Sequence, residues 1–434
     1  EAIILESKRE IHNRTNKTSV SEPSNEEKTQ RSKEGREKMG KGKAIIVGGS
    51  VAGLSTAHAV LKAGWDVVVL EKAHVAPKGS PTGAGLAIDT QSIGVIESWL
   101  PDPHLLQDTT FPLDIDENFH FRSGHWSDLH GLLHDHLPPE VFLWGHLFLS
   151  FTTSEDKSSV TVKAKVLDTE EIIEITGNVL IAADGSLSAI RKTFLPDMKL
   201  RYSGYCAWRG VLHFAGHEDS ETITGIRRAY PDLGKCLYFS LDGKSHTIMY
   251  ELHNKRLNWI WYVNRPEPEL KPNSVTLKVS EEEIKSMIEE AKKTWVPEFV
   301  RVMEDTMEPF INAIYDADPL ERLYWDNVVL VGDASHPTTP HGVRSTNFAI
   351  MDAASLGRCL GKWGVENVQS ALEEYQNTRL PVHAKQVLYS RRLGQLKQGM
   401  ALPDRGPFDI KTATPKECEE LQQKNMPFAG KAPL

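Results

Sequence analysis

The sequence predicts an α/β protein in which a parallel sheet is interrupted by an antiparallel one and followed by helices. Three observations predict it. Residues 43–72 read as strand, glycine-rich turn, helix, strand. Residues 179–191 and 327–360 each run from an apolar strand through a turn carrying Asp and Gly into a helix. Between them, residues 200–263 switch to short alternating runs, the period of strands with one face buried.

The first of these stretches organises the rest. Ala44 to Val47 is apolar enough for a fully buried strand, and Gly48-Gly49-Ser50-Val51-Ala52-Gly53 follows as a tight turn. Leu54 to Ala63 reads as a helix stopped by Gly64, and Val67 to Leu70 as a second strand ending on Glu71 and Lys72. In a Rossmann-type unit Gly48 makes the turn, Gly53 lets helix and strand approach, and the open N–H groups of the helix start face a pyrophosphate. Ser50 stands at the usual second glycine and is still small. Glu71, about 20 residues on, is placed to accept from a ribose hydroxyl. A tight βα turn holding nothing is the alternative.

Residues 1–38 are rich in Glu, Lys, Arg, Ser, Asn and Thr and lack the apolar residues a core needs. They are expected to be an unfolded extension, with Met39-Gly40-Lys41 as the natural start. Asp89 to Leu100 reads as a helix, and a second helical pattern follows His125-Trp126-Ser127-Asp128-Leu129. Val160 to Val166 and Glu171 to Ile175 read as a hairpin. Val179 to Ala183 is an apolar strand running into Asp184-Gly185, with Ser188 and Arg191 opening the next helix. Asp184 can reach a ribose or a phosphate-bound water; Arg191 can neutralise phosphate or tether Asp184. Strands are expected at Trp208 to Phe214, Cys236 to Leu241, His246 to Leu252 and Leu257 to Val263. Ser280 with Glu283 forms a capping box for a helix from Glu281 to Trp295. Asn327 to Val331 is a strand ending in Gly332-Asp333, and a helix is expected from Phe348 to Leu360. The helical region Val368 to Gln398 is expected to be broken at Pro381, with a surface-wrapping tail beyond Ala401.

Composition narrows the function. A net charge of −9 with no basic face argues against nucleic acid as the partner. No apolar run approaches the length of a membrane span. Cys206, Cys236, Cys359 and Cys418 are far apart with no CxxC, which points to free thiols and a cytoplasmic, reducing compartment. No metal-ligand set is expected: His130, His134 and His136 read as surface or loop histidines. The Trp259-Ile260-Trp261 run fits alternating aromatics on a strand.

Taken together, the three turns resemble those of the class A flavin-dependent monooxygenases, the para-hydroxybenzoate hydroxylase-like family. The glycine turn with Glu71, the DGxxSxxR pattern at Asp184, Gly185, Ser188 and Arg191, and Gly332-Asp333 running into His336-Pro337 and Pro340 occur in the family's order. RYSGYCAWRG and GDASHPTTPHGVRSTN make the chain most similar to plant proteins of the urate hydroxylase-like and 6-hydroxynicotinate 3-monooxygenase-like branches. The resemblance implies a GR2-type FAD-binding domain over residues 39–85, 122–198 and 310–362. It implies a substrate domain over 86–121 and 199–309, and C-terminal helices with a tail over 363–434. It implies FAD as cofactor, NAD(P)H and O2 as co-substrates, and oxygen transfer to a small aromatic or heteroaromatic substrate through a flavin C4a-hydroperoxide. Gly48, Ser50, Ala52 and Gly53 would hold the pyrophosphate, and Glu71 and Lys72 the adenosine end. Asp184 and Arg191 would serve FAD and NAD(P)H, Asp333 the ribityl chain, and Pro340, Gly342 and Val343 the isoalloxazine.

Arg209, on an otherwise apolar strand, is the candidate substrate- or flavin-facing residue, with a structural ion pair as its alternative. His341 is a second candidate, with loop packing as its alternative. Trp126 stands where many relatives carry a phosphate-binding arginine, Ser345 replaces a glycine, and Pro112 to Phe121 is short. These departures keep a flavin-binding paralogue without turnover, or another flavin oxidoreductase such as an epoxidase, as competing readings.

Overall fold

The computed structural model describes residues 41–77, 83–113, 121–270, 274–342 and 345–421. Val343 and the extension expected over residues 1–38 lie outside them.

Strand β1, Lys43–Val47, is flanked in parallel by β2, Asp66–Glu71, and β10, Val179–Ala182. β18, Val328–Leu330, adds beyond β10, and β6, Phe142–Trp144, beyond β2. Only β17, Tyr324–Trp325, runs antiparallel, at one edge. Such a sheet is covered on both faces, which is why its central strands read as unbroken apolar runs. On one face lie the helices Val51–Lys62 and Ser345–Trp363; their small residues Ala59 and Gly357 allow a very close crossing. On the other lies a small sheet of β7, His146–Thr153, β8, Val160–Val166, and β9, Ile172–Gly177. β8 and β9 are the expected hairpin.

The second large sheet is antiparallel. β11, Arg201–His213, sits at its centre between β14, Arg256–Asn264, and β16, Phe310–Asp316. β13, Ser245–Leu252, and β12, Tyr238–Leu241, extend it on one side and β15, Thr276–Leu277, on the other. β16, which begins at the boundary expected at residue 310, bonds into the antiparallel sheet along β11 before the chain returns to the parallel one.

The two faces of this sheet differ. Cys206, Trp208, Leu212, Trp259 and Trp261 form one buried cluster with Phe299, Val302 and Met303 of the helix Pro297–Glu304. Arg209, Ile260, Ile248 and Phe239 are register partners across four strands, and Ala207, Tyr262, His246 and Leu241 form the next rung. These point the opposite way because strand side chains alternate. β3, Gly85–Asp89, with β5, Phe121–His125, and β4, Phe111–Leu113, forms a short sheet at the junction.

Three local expectations are corrected. The first helix begins at Val51, three residues earlier than read, because Gly53 sits inside its first turn. The helix Val368–Lys397 is continuous; Pro381 is on its exposed side, where the carbonyl left without an N–H faces water. The helix Glu221–Ala229, capped by Ser220, was not foreseen. The capping box at Ser280 and Glu283 is present in full.

Candidate functional site

The three turns meet at the carboxyl ends of β1, β10 and β18. Gly48 has φ +106°, and a Cβ there would lie 2.3 Å from the carbonyl oxygen of Ala183 at the end of β10. A Cβ on Gly53 would lie 1.8 Å from the Gly48 carbonyl oxygen, so the turn closes only with glycine at both places. Ala52 touches the third turn: a Cβ on Gly332 would stand 2.8 Å from its methyl. Ser50 is the N-cap but its hydroxyl makes no cap bond, so the first-turn amides of Val51–Lys62 are left for a ligand.

Glu71 lies at the tip of β2. Its Oε2 accepts from Gly49 N–H at 2.7 Å and its Oε1 from Ala73 N–H at 2.8 Å, which fixes the carboxylate at the mouth of the turn while each oxygen keeps a free lone pair. Lys72 is exposed beside it. Asp184 caps the helix Ala189–Phe194 through Oδ2, accepting from Ala189 N–H at 2.8 Å and Ile190 N–H at 3.2 Å. Its Oδ1 is buried with no partner. Burial raises the Asp184 pKa against the opposing pull of Ser188 and those amides. An orphaned carboxylate oxygen at the meeting point of three strand tips is the signature expected of a site that receives a polyhydroxylated ligand.

Arg191 lies in the field of Asp184 and Asp333, which favour its charge against burial. Its guanidinium is buried and binds backbone: Nη1 donates to Ala334 O at 2.8 Å and Asp333 O at 3.3 Å, and Nη2 donates to Ser186 O. The residue staples the second turn to the third. Asp333 in turn accepts from the Ser345 hydroxyl at 2.6 Å, so the serine that departs from the expected glycine orients this carboxylate.

A larger buried network holds the third turn from behind. Asp352, on Ser345–Trp363, accepts from Gly332 N–H at 3.0 Å, His336 Nε2 at 2.9 Å, Arg379 Nε at 2.7 Å and His383 Nε2 at 2.7 Å. Burial alone would raise the Asp352 pKa, but His383, Arg379 and His336 hold it well below the usual carboxylate range. Sequence reading missed this cluster. A signal existed: Arg379, His383, Gln386 and Ser390 fall on one face of a helix and are all buried, an unusual polar stripe. His336, Asp352 and His383 are also the ligand types and spacing that could hold a metal ion. The Arg379 guanidinium already occupies the carboxylate, and a second cation beside it is disfavoured. His130 is corrected too: it is buried, and Nε2 bonds the Gly49 carbonyl at 2.9 Å, supporting the glycine turn from below.

Where the parallel sheet's third turn faces the antiparallel sheet lies a cavity of about 170 Å³. Arg209, Tyr250, Tyr262, Ile248 and Ile260 form one wall, Leu86 and Ala87 of β3 another, and Pro340 with Ser345 the side towards the third turn. Arg209 Nε is buried without a partner, and among the described residues no carboxylate pairs with its guanidinium. Burial raises the pKa of Tyr250 and Tyr262 while Arg209 opposes it. Thus Arg209 and Pro340 come together at one cavity. His341 does not face it. It is buried behind Pro340, against Tyr205, Thr339 and His246. Gly342 has φ +87°, as the turn into the last helix requires.

The chain belongs to the FAD binding domain family, which it matches over residues 141–390. It is 26% identical over 357 residues to 6-hydroxynicotinate 3-monooxygenase of Pseudomonas fluorescens, covering 77% of this chain and 86% of that one. It is 26% identical over 366 residues to salicylate hydroxylase of Pseudomonas putida, covering 77% and 81%. The structure of 2,6-dihydroxypyridine-3-hydroxylase from Arthrobacter nicotinovorans superposes with a TM-score of 0.70 at 20% identity, covering 87% of this chain and 99% of that one. The Rossmann-type fold with an antiparallel partner sheet is thus a flavoprotein fold, and the chain is an FAD-dependent oxidoreductase of the monooxygenase type.

Proposed function

We propose that this protein hydroxylates a small aromatic or heteroaromatic compound carrying an anionic oxygen, consuming NAD(P)H and O2. The observation that carries the reading is Arg209: a cation on the wall of an apolar, aromatic-lined cavity beside the third turn, with no acid among the described residues to balance it. A cation so placed is stabilised by whatever anion enters.

FAD supplies the redox chemistry and the activation of O2. The protein's own groups bind, orient and exclude water. The amides after Gly48 take the pyrophosphate, Glu71 the adenosine ribose, and Asp184 Oδ1 and Asp333 hydroxyls of the FAD chain. Arg209 holds the anionic substituent of the ring, and Tyr250, Tyr262, Ile248 and Ile260 exclude water around it. Arg191, Asp352 and His130 touch no reacting atom and act by fixing the turns. Four free cysteines support a reducing, cytoplasmic setting.

The test is NAD(P)H oxidation by the flavin-loaded protein across aromatic acids, phenols, purines and uncharged rings. Acceleration by anionic rings, with product one oxygen atom heavier, supports the reading. A yellow protein that oxidises NAD(P)H with none of them favours the binding-only alternative.

A further inference from the structure

One rung beyond Arg209, the same sheet face carries buried groups that the reaction does not use. His246 stacks on Tyr262, with centroids 4.4 Å apart and planes inclined by 13°. Its Nδ1 meets Gln398 Oε1 at 2.7 Å and its Nε2 meets His341 Nε2 at 3.2 Å. His341 Nδ1 meets the Tyr205 hydroxyl at 3.3 Å and the Thr339 hydroxyl at 3.2 Å. An amide oxygen only accepts, so His246 carries its proton on Nδ1 and accepts at Nε2. His341 then donates from Nε2 and accepts both hydroxyls at Nδ1. This arrangement satisfies all four ring nitrogens with both rings neutral.

The surroundings enforce neutrality. Lys397 is buried with its amine 3.9 Å from the Phe239 ring centre, no carboxylate pairs with it among the described residues, and burial brings its pKa down to about 7, so it is a cation on the acid side of neutrality. The charged groups facing the two rings are Lys397 from the long helix and Arg209 from β11; Tyr205 and Tyr262 face them as buried hydroxyls, with Asp316 and Arg201 beyond Tyr205. Burial first, then Lys397 for His246, and burial, then His246, Lys397 and Arg209 for His341, hold both histidines well below their ordinary pKa. The helix reaches this close only because residue 394 is glycine: a Cβ there would lie 2.3 Å from the Tyr205 hydroxyl and 2.8 Å from His341 Nδ1.

We infer that His246 and His341 are positioning residues that, as a neutral pair, pin the Thr339–Gly342 segment and hence Pro340 against the cavity, and that a proton taken up by the pair releases it. A proton on His246 Nε2 would either set two N–H groups face to face or force His341 to move its proton to Nδ1 and reverse its bonds to the Tyr205 and Thr339 hydroxyls, in both cases beside Lys397. The inference rests on the flavin reading, because Pro340 bounds the cavity in which the ring substrate would sit.

The experiment uses the full chain loaded with FAD, an aromatic carboxylate as probe, and wild type, His246→Phe and Lys397→Met. His246→Phe keeps the stack on Tyr262 and loses both hydrogen bonds. In wild type the KM for the probe should rise about tenfold as pH falls well below the ordinary histidine range, with kcat little changed. His246→Phe should show the high KM at every pH. Lys397→Met should move the acid limb up by roughly one pH unit, since a cation opposing protonation is gone. Nitrogen-labelled histidine spectra of the flavin-free protein should contain one ring in the Nδ1–H form that His246→Phe removes. A wild-type KM that does not change with acid, or an acid limb unmoved in Lys397→Met, overturns the inference. Failure of wild type to bind FAD would instead overturn the flavin reading.

Discussion

The turns of the parallel sheet and the inner wall of the antiparallel sheet bury polar groups in opposite ways. At the turns, charges are largely spent on the chain itself. Arg191 is used up on three carbonyls, Asp352 on two histidines, an arginine and an amide, Glu71 on two amides, and Asp333 on Ser345. On the wall, Arg209 Nε is buried without a partner, no acid among the described residues pairs with its guanidinium, and Tyr250 and Tyr262 line the same cavity. A region whose groups satisfy one another is a scaffold, and its loss should appear as loss of folding or of cofactor. A region whose groups are left open is waiting for a ligand, and its loss should appear in substrate kinetics alone.

The sharpest break of this contrast is at Asp352. Asp352→Ala leaves Arg379 buried without its partner and frees Gly332, so stability should fall by about 3–5 kcal/mol, with flavin lost in proportion. Thermal unfolding and the ratio of visible to ultraviolet absorbance check both. Next is the glycine turn. Gly53→Ala should yield folded protein that retains little flavin, because the new methyl overlaps the Gly48 carbonyl; flavin-fluorescence titration reads this directly. On the wall, Arg209→Met should leave flavin content and melting temperature unchanged. It should cost roughly 2–3 kcal/mol in kcat/KM for anionic rings, a loss of about 30- to 160-fold, and spare uncharged rings.

A smaller effect concerns pH. His246, His341 and His383, the last held to about 4 mainly by burial, have folded pKa values below the unfolded one. Between those values the unfolded chain binds more protons than the folded one. The part of the stability that depends on these three is therefore complete above about pH 6.5 and declines as pH falls below it, while Lys397, brought down to about 7 by burial, adds a further rise on the alkaline side. Asp352 adds a loss only at lower pH, below the ordinary carboxylate range, because its folded pKa is depressed. Denaturant midpoints measured across this range check the order. The smallest effect is at Ser345. Ser345→Gly removes one bond to Asp333 and should cost about 1 kcal/mol, read as slightly weaker FAD binding.

The contrast also explains what was legible in the sequence. The turns are local: strand, glycine and acid lie within a few residues, so Gly48, Gly53, Glu71, Asp184 and Asp333 could be placed from spacing alone. Arg191 could be found, but its bonds to the Asp333 and Ala334 carbonyls some 140 residues away could not, since carbonyls leave no trace in sequence. Asp352, Arg379 and His383 were missed because their meeting depends on how two helices pack. On the wall, alternation revealed the strands and flagged Arg209, yet the register that sets Arg209 opposite Ile260 and Ile248 is a tertiary property. His341 was flagged for its place in the third turn, but it faces the far side of that turn.

The most direct measurement is the perturbation of the bound-flavin visible spectrum by an aromatic carboxylate, titrated into wild type and Arg209→Met side by side. The account predicts two equally yellow proteins, a saturating perturbation in wild type and none in the variant over the same range. A wild type that stays colourless after incubation with FAD, or a variant that binds the carboxylate as tightly as wild type, would contradict it.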